Sequence, residues 1–163
     1  TLPSIDKGYF KVIAREFEAF LLEQEETFLT PAEKLAVLVE SHNIDHAKLL
    51  LSHTTYSRVP VVTEDGNYFG TIGLTEIIKY QSDNELTDDE LNVDISLIAK
   101  TDEETVGLDY DLTEVMRKLV DQSFLPVLGE NRKFVGIITR KSILKAINAL
   151  LHNFPLASKE GKK

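Results

Sequence analysis

The sequence predicts an α/β (α+β) protein made of two β-α-β-β-α copies behind an amphipathic N-terminal helix. Two observations carry this. One offset of 66 residues lays Arg58-Val59-Pro60-Val61-Val62, its polar turn and Tyr68-Phe69-Gly70-Thr71-Ile72-Gly73 over Phe124-Leu125-Pro126-Val127-Leu128, its turn and Phe134-Val135-Gly136-Ile137-Ile138-Thr139 without a gap. In addition, each copy carries a capped amphipathic helix upstream and a second helical pattern downstream.

In chain order, Phe10 to Glu25 places Val12, Ile13, Phe17, Phe20, Leu21 and Leu22 on an amphipathic helix, able to pack on its own domain or on a partner. Thr30-Pro31-Ala32-Glu33 reads as N-cap, proline at the first helical position and an acid at the third, which predicts one short helical turn. A strand is expected at Ala36–Val39. Asn43 then caps a helix whose stripe is Ala47, Leu50, Leu51 and Thr54. Strand, turn (Thr63 to Asn67), strand and a helix through Ile77, Ile78 and Tyr80 complete the first copy. In the second copy the early strand is Thr105–Leu108, and Asp111 with Glu114 forms a capping box ahead of Val115, Met116, Leu119 and Val120. The second turn is Gly129 to Lys133, and the last helix runs through Ile143, Leu144 and Ile147. Pro60 and Pro126 are expected at the first positions of their strands, where a missing N–H is tolerated. The expected boundaries are 1–29 for the N-terminal extension, 30–81 for the first copy, 82–94 for an acidic linker, 95–151 for the second copy and 152–163 for a flexible tail.

Composition narrows the function. The 163 residues carry 27 acidic and 18 basic side chains, a net charge of −9, and no cysteine. A disulfide scaffold, a thiol nucleophile and any thiolate-ligated metal are excluded. The acidic balance argues against a nucleic-acid polymer or an anionic membrane as partner. No apolar run approaches the roughly 20 residues that span a bilayer, and the first ten residues have no signal pattern, so the expected location is cytoplasmic. His42 and His46 are four apart, but the helix is expected to start between them, and no metal site is expected. A P-loop, a G-x-G-x-x-G fingerprint and a G-x-S-x-G elbow are all missing, and no catalytic residue nominates itself.

Two gapless copies with hydrophobic-Pro-Val, ten residues to Gly and a Gly-hydrophobic-hydrophobic-Thr closing strand resemble the CBS domain pair, or Bateman module, over Thr30 to about Leu151. The resemblance implies two repeats related by a pseudo-twofold axis, adenine nucleotides bound in clefts between the halves, a regulatory rather than catalytic role, no cofactor, and a homodimer formed through the CBS helices.

Many nucleotide-binding members end their last strand in Thr-x-x-Asp, the Thr meeting phosphate and the Asp the ribose diol. The second copy here has Thr139-Arg140-Lys141-Ser142 and the first has Gly73-Leu74-Thr75-Glu76. Thr139 falls where a strand meets a helix N-terminus, a place that favours anions, with Arg140 and Lys141 beside it. Cations there oppose the helix dipole, so either an anionic ligand or a nearby acid is expected to offset them. Replacing the Asp by Ser142 removes a diol acceptor and a negative charge. That change suits a ligand with two phosphodiesters and no free vicinal diol, such as cyclic di-AMP.

The chain is thus similar to the small stand-alone CBS proteins of Gram-positive bacteria that bind cyclic di-AMP. By that resemblance Thr139, Arg140, Lys141 and Ser142 face Lys34, Leu35 and Ala36 and also Tyr56, Ser57 and Arg58. Lys34 and Arg58 would add positive charge, and Tyr56 either stacks on a base or closes the core. The opposite cleft would join Gln122, Ser123 and Phe124 to Gly73, Leu74, Thr75 and Glu76, and is expected to be empty or weak. AMP, ADP or ATP are the alternative ligands, and a ligand-free interaction scaffold is the alternative role. Relatives of this kind imply a regulated enzyme as partner, a stringent-response synthetase or pyruvate carboxylase.

Overall fold

The computed structural model describes residues 29–153. The expected N-terminal helix at Phe10 to Glu25 and the tail beyond Asn153 lie outside the described residues. The elements are β1 (Leu29–Pro31), β2 (Leu38–Val39), α1 (Ile44–Ser52), β3 (Arg58–Val62), β4 (Tyr68–Gly73), α2 (Leu74–Asp83), β5 (Val106–Gly107), α3 (Leu112–Lys118), β6 (Phe124–Leu128), β7 (Phe134–Thr139) and α4 (Arg140–Asn153), with short 3-10 turns at Ala32–Lys34 and Ile95–Leu97. β2, β3 and β4 form one sheet in that order, and the other runs β1-β7-β6-β5.

Both copies show the same local logic. β2 pairs parallel with β3 through Leu38↔Val61 and Val39↔Val62, and β5 pairs parallel with β6 through Val106↔Val127 and Gly107↔Leu128. β3 and β4 form an antiparallel hairpin in register Arg58↔Gly73 through Val61↔Gly70, with an irregularity between Val61 and Val62. The early strands are two residues each rather than the four expected at 36–39 and 105–108, because only two residues find partners on the neighbouring strand. Pro60 and Pro126 are the third residues of β3 and β6 rather than the first, because each strand begins two residues before its proline. The short helical turn expected after Thr30 is present but starts one residue later, at Ala32. Thr30 lies within β1, and Pro31, extended at φ −69° and ψ 152°, begins the 3-10 turn without a side-chain cap. Proline fixes φ but not ψ, so the same residue serves either conformation.

The chain divides into two compact units. One comprises residues 31–109 and 126–137. Its core gathers Leu38, Ile44, Ala47, Leu51, Val59, Val61, Ile72 and Ile77 with Leu91 and Ile95, so the acid-rich segment after α2 is anchored by two buried side chains. Asn43 caps α1 by accepting the His46 N–H at 2.8 Å. Gly70 has a positional reason: a Cβ there would run into the Lys100 carbonyl, whose residue pairs with Thr71 through two backbone hydrogen bonds of 2.9 and 2.7 Å. The hairpin turns also meet in this unit. Phe134 N–H donates to the Gly66 carbonyl at 3.1 Å, the Tyr68 and Phe134 rings stack at 6.3 Å, and the Arg132 guanidinium lies 5.7 Å from the Tyr68 ring centre. The Tyr68 hydroxyl is buried with no hydrogen-bond partner, and burial pushes its pKa upward.

The other unit contains, among the described residues, 29–30, 110–125 and 138–153. Asp111 caps α3 by accepting the Glu114 N–H at 2.8 Å, while the Glu114 carboxylate pairs with Lys118 at 3.0 Å. The expected stripes divide between core and surface: Val115 and Leu119 are buried, whereas Met116 and Val120 are exposed. The 66-residue offset extends to burial, since Ile77 and Ile143 are buried while Ile78 and Leu144 are 63% and 66% exposed.

Candidate ligand site

The start of α4 is built by reciprocal capping. Thr139 Oγ1 accepts the Ser142 N–H at 3.0 Å, and Ser142 Oγ accepts the Thr139 N–H at 3.1 Å. The Ser142 hydroxyl donates to the Thr139 carbonyl at 2.9 Å, and the two hydroxyls are 3.1 Å apart. Ser142 is therefore buried and structural. Lys141 is exposed.

The Arg140 guanidinium reaches the end of α3. Its Nε donates to the Leu119 carbonyl at 2.8 Å and its Nη2 to the Val120 carbonyl at 2.9 Å. These carbonyls belong to the end of α3, where acceptors lack intrahelical partners and the dipole is negative. A neighbouring helix C-terminus thus offsets part of what a cation at a helix N-terminus costs.

The first-copy residues lie in the larger unit. Lys34 is exposed on its 3-10 turn, Leu35 closes that turn with its N–H on the Ala32 carbonyl at 3.0 Å, and Ala36 is half-buried. Tyr56 and Ser57 are exposed ahead of β3. Arg58, directly opposite Gly73 in the hairpin, turns toward the start of α2 and is ion-paired with Glu76. Arg58 Nε donates to the Thr71 hydroxyl at 2.8 Å and lies 3.4 Å from Glu103, and the Thr71 hydroxyl is 3.3 Å from the same carboxylate. Glu76 also accepts the Gly73 N–H at 2.8 Å, satisfying one orphan donor of α2. The side chains of Arg58, Glu76 and Glu103 are 18%, 20% and 13% exposed, so this is a largely desolvated network.

Arg58 is therefore joined to the Gly73–Glu76 segment that the sequence analysis gave to the opposite cleft. Glu103 and Thr71 were missed altogether. The hairpin register carried the signal for Thr71, since Pro60↔Thr71 and Arg58↔Gly73 follow from the ten-residue Pro-to-Gly spacing; Glu103 had none.

His42 Nδ1 accepts the Val39 N–H at 3.0 Å, and its ring centre is 4.2 Å from that of His46. Burial, then His46, lowers its pKa. Among the described residues no three His, Cys, Asp or Glu side chains gather as a metal site, and no helix is long and apolar enough to cross a membrane.

Two tandem β-α-β-β-α copies with these capped strand–helix junctions define a CBS-pair architecture. The CBS domain family model matches residues 29–83 and 94–149, and the chain belongs to that family. It is 58% identical to a CBS domain protein from Streptococcus pneumoniae TIGR4 of known crystal structure, at a TM-score of 0.77 over 86% of this chain and 97% of that one. It is 49% identical to the crystallised CbpB in complex with c-di-AMP, at a TM-score of 0.79 over 88% and 97% of the two chains. Cyclic di-AMP receptor B of Bacillus subtilis (strain 168) is 25% identical over 130 residues, 74% of this chain and 84% of that protein.

Proposed function

We propose that the protein is a cytoplasmic regulatory nucleotide sensor, not an enzyme, whose ligand is cyclic di-AMP. The observation that carries this is the start of α4. It presents Thr139 and Lys141 at a helix N-terminus, and the place of the diol-binding Asp is taken by Ser142, whose hydroxyl is spent on capping. Such an end attracts phosphodiesters without requiring a free ribose diol. The 49% identical CbpB in complex with c-di-AMP supports the same ligand.

The site residues proposed are Thr139, Arg140, Lys141 and Ser142 with Lys34, Leu35, Ala36, Tyr56, Ser57 and Arg58. Arg58 and Arg140 already have strong partners, so the exposed Lys34 and Lys141 are assigned the larger share of phosphate binding. Binding acts by differential affinity, favouring one of two forms that a partner protein distinguishes. A homodimer through CBS helices is supported by Leu49 and Ile78, 61% and 63% exposed on α1 and α2. An enzyme regulated by the apo or bound form, a stringent-response synthetase or pyruvate carboxylase, is the partner class proposed.

A thermal-shift panel tests the ligand first, since a molecule that binds only the folded state raises its apparent stability. Cyclic di-AMP is expected to raise Tm, and cyclic di-GMP, AMP, ADP and ATP to leave it unchanged. A shift with AMP or ATP and none with cyclic di-AMP makes the protein an energy sensor instead. No shift with any of them leaves a ligand-free scaffold.

A further inference from the structure

The first copy of the repeat carries a charged network that the second lacks. At the offset of 66, Arg58, Thr71, Gly73 and Glu76 fall on Phe124, Ile137, Thr139 and Ser142. None of those second-copy residues is ionisable, although they hold the same places in β6, β7 and α4. A hairpin and its closing helix therefore form without these charges, and the network has a reason other than the fold.

Its geometry shows how Arg58 is used. Gly73 lies directly opposite Arg58, and a Cβ there would come within 3.2 Å of Arg58 Nη1, so the missing side chain lets the guanidinium cross to the start of α2. There Nη2 pairs with Glu76, while Nε donates to the Thr71 hydroxyl at 2.8 Å and lies 3.4 Å from Glu103. Thr71 is fully buried, and the three charged side chains are largely withdrawn from water. Pulling the guanidinium away to grip a phosphate would strand two desolvated carboxylates, a cost that one charged hydrogen bond does not offset.

The charges do not balance. Two carboxylates share one guanidinium, and the neighbouring Lys100 and Asp102 pair with each other at 3.6 Å. Both acids contact residue 58, the last of the proposed ligand segment Tyr56–Arg58. Left uncovered, they would repel a phosphodiester even from about 10 Å, because poorly solvated charges are weakly screened.

We propose that Arg58 serves the ligand site as a screen, masking Glu76 and Glu103 from the phosphates of the nucleotide without binding those phosphates itself. The proposal rests on the nucleotide-sensing reading above. Arg58 is on this account a positioning residue, and the charge it leaves uncovered, that of Glu103, holds affinity below what the site could reach.

The test is calorimetric titration of the full chain with cyclic di-AMP, AMP and ATP at low and high salt, below the lowest Tm of the set. The proteins are wild type, Arg58→Gln, Glu103→Gln and the triple variant Arg58→Gln/Glu76→Gln/Glu103→Gln. Arg58→Gln is expected to weaken the nucleotide that wild type binds by at least about fivefold, and added salt to shrink that loss. The triple variant, with no charge in the network, is expected to bind within about twofold of wild type or tighter. Glu103→Gln, which keeps the Arg58–Glu76 pair, should bind about threefold tighter than wild type. A triple variant as weak as Arg58→Gln would show that Arg58 grips the ligand directly and would overturn the screen, as would unchanged affinity in Arg58→Gln. If Arg58→Gln does not fold, Glu103→Gln decides, and binding no tighter than wild type overturns the proposal. Wild type that binds none of the three nucleotides overturns the sensor reading and the screen together, whereas failure of the variants alone overturns only the screen.

Discussion

Arg58 and Glu76 are ion-paired where β4 hands over to α2, and the same Glu76 carboxylate accepts the Gly73 N–H that opens that helix. One acid thus joins strand β3 to the start of α2, and Thr71 and Glu103 complete the ring of partners around the guanidinium. Removing one member leaves a desolvated charge, which costs far more than an exposed ion pair is worth.

Arg58→Ala and Glu76→Ala are therefore each expected to destabilise by about 2–4 kcal/mol, less than a fully buried pair because both side chains keep some water. Their double-mutant cycle should show coupling above about 1 kcal/mol in chemical denaturation. Additive losses would mean that the pair does not hold the junction.

Arg140 is expected to stabilise the end of α3 with or without ligand. Arg140→Ala should cost about 1–3 kcal/mol in the ligand-free protein, for two charged hydrogen bonds to carbonyls. Arg140→Lys should recover only part of this, because an ammonium lacks the planar fork that spans Leu119 and Val120. Wild-type stability for Arg140→Ala would show that these bonds are dispensable.

Much of the fold was legible because a repeat turns weak local signals into strong ones. The offset of 66 placed both hairpins and both closing helices, and Asn43 and Asp111 cap as their positions suggested. The site was less legible, for a physical reason. Arg58 was placed at the ligand by the resemblance, and Arg140 by the resemblance and its place at a strand end; neither reading could include partners that come from segments far away in sequence. Glu103 is 45 residues beyond Arg58, and the Leu119 carbonyl is free only because α3 ends there. The capping bonds of Ser142 show only in three dimensions.

Gly70→Ala is expected to separate β4 from Lys100, because the new methyl needs space held by that carbonyl. Loss of the two Thr71–Lys100 hydrogen bonds should cost about 2–3 kcal/mol and expose both amides to hydrogen exchange. Native protection of Thr71 and Lys100 in this variant would contradict the close approach.

His42 supplies a pH dependence. Its folded-state pKa lies below 6.5, owing first to burial and then to His46. The unfolded chain takes up that proton first on acidification, so the contribution is complete above about 6.5 and declines as pH falls through the lowered value. Wild-type Tm should drop between pH 7 and 5 more steeply than that of His42→Asn, whose side-chain oxygen can still accept the Val39 N–H. Parallel profiles would remove His42 as the source.

Calorimetric titration of the full chain with cyclic di-AMP tests the central claim most directly. Wild type is expected to bind cyclic di-AMP tightly and AMP or ATP at least about a hundredfold more weakly. Lys141→Ala and Thr139→Val should each weaken cyclic di-AMP by about tenfold or more, as the loss of one charged or one phosphate-directed hydrogen bond implies. Binding of AMP or ATP in preference to cyclic di-AMP, or unchanged affinity in both variants, would contradict the account.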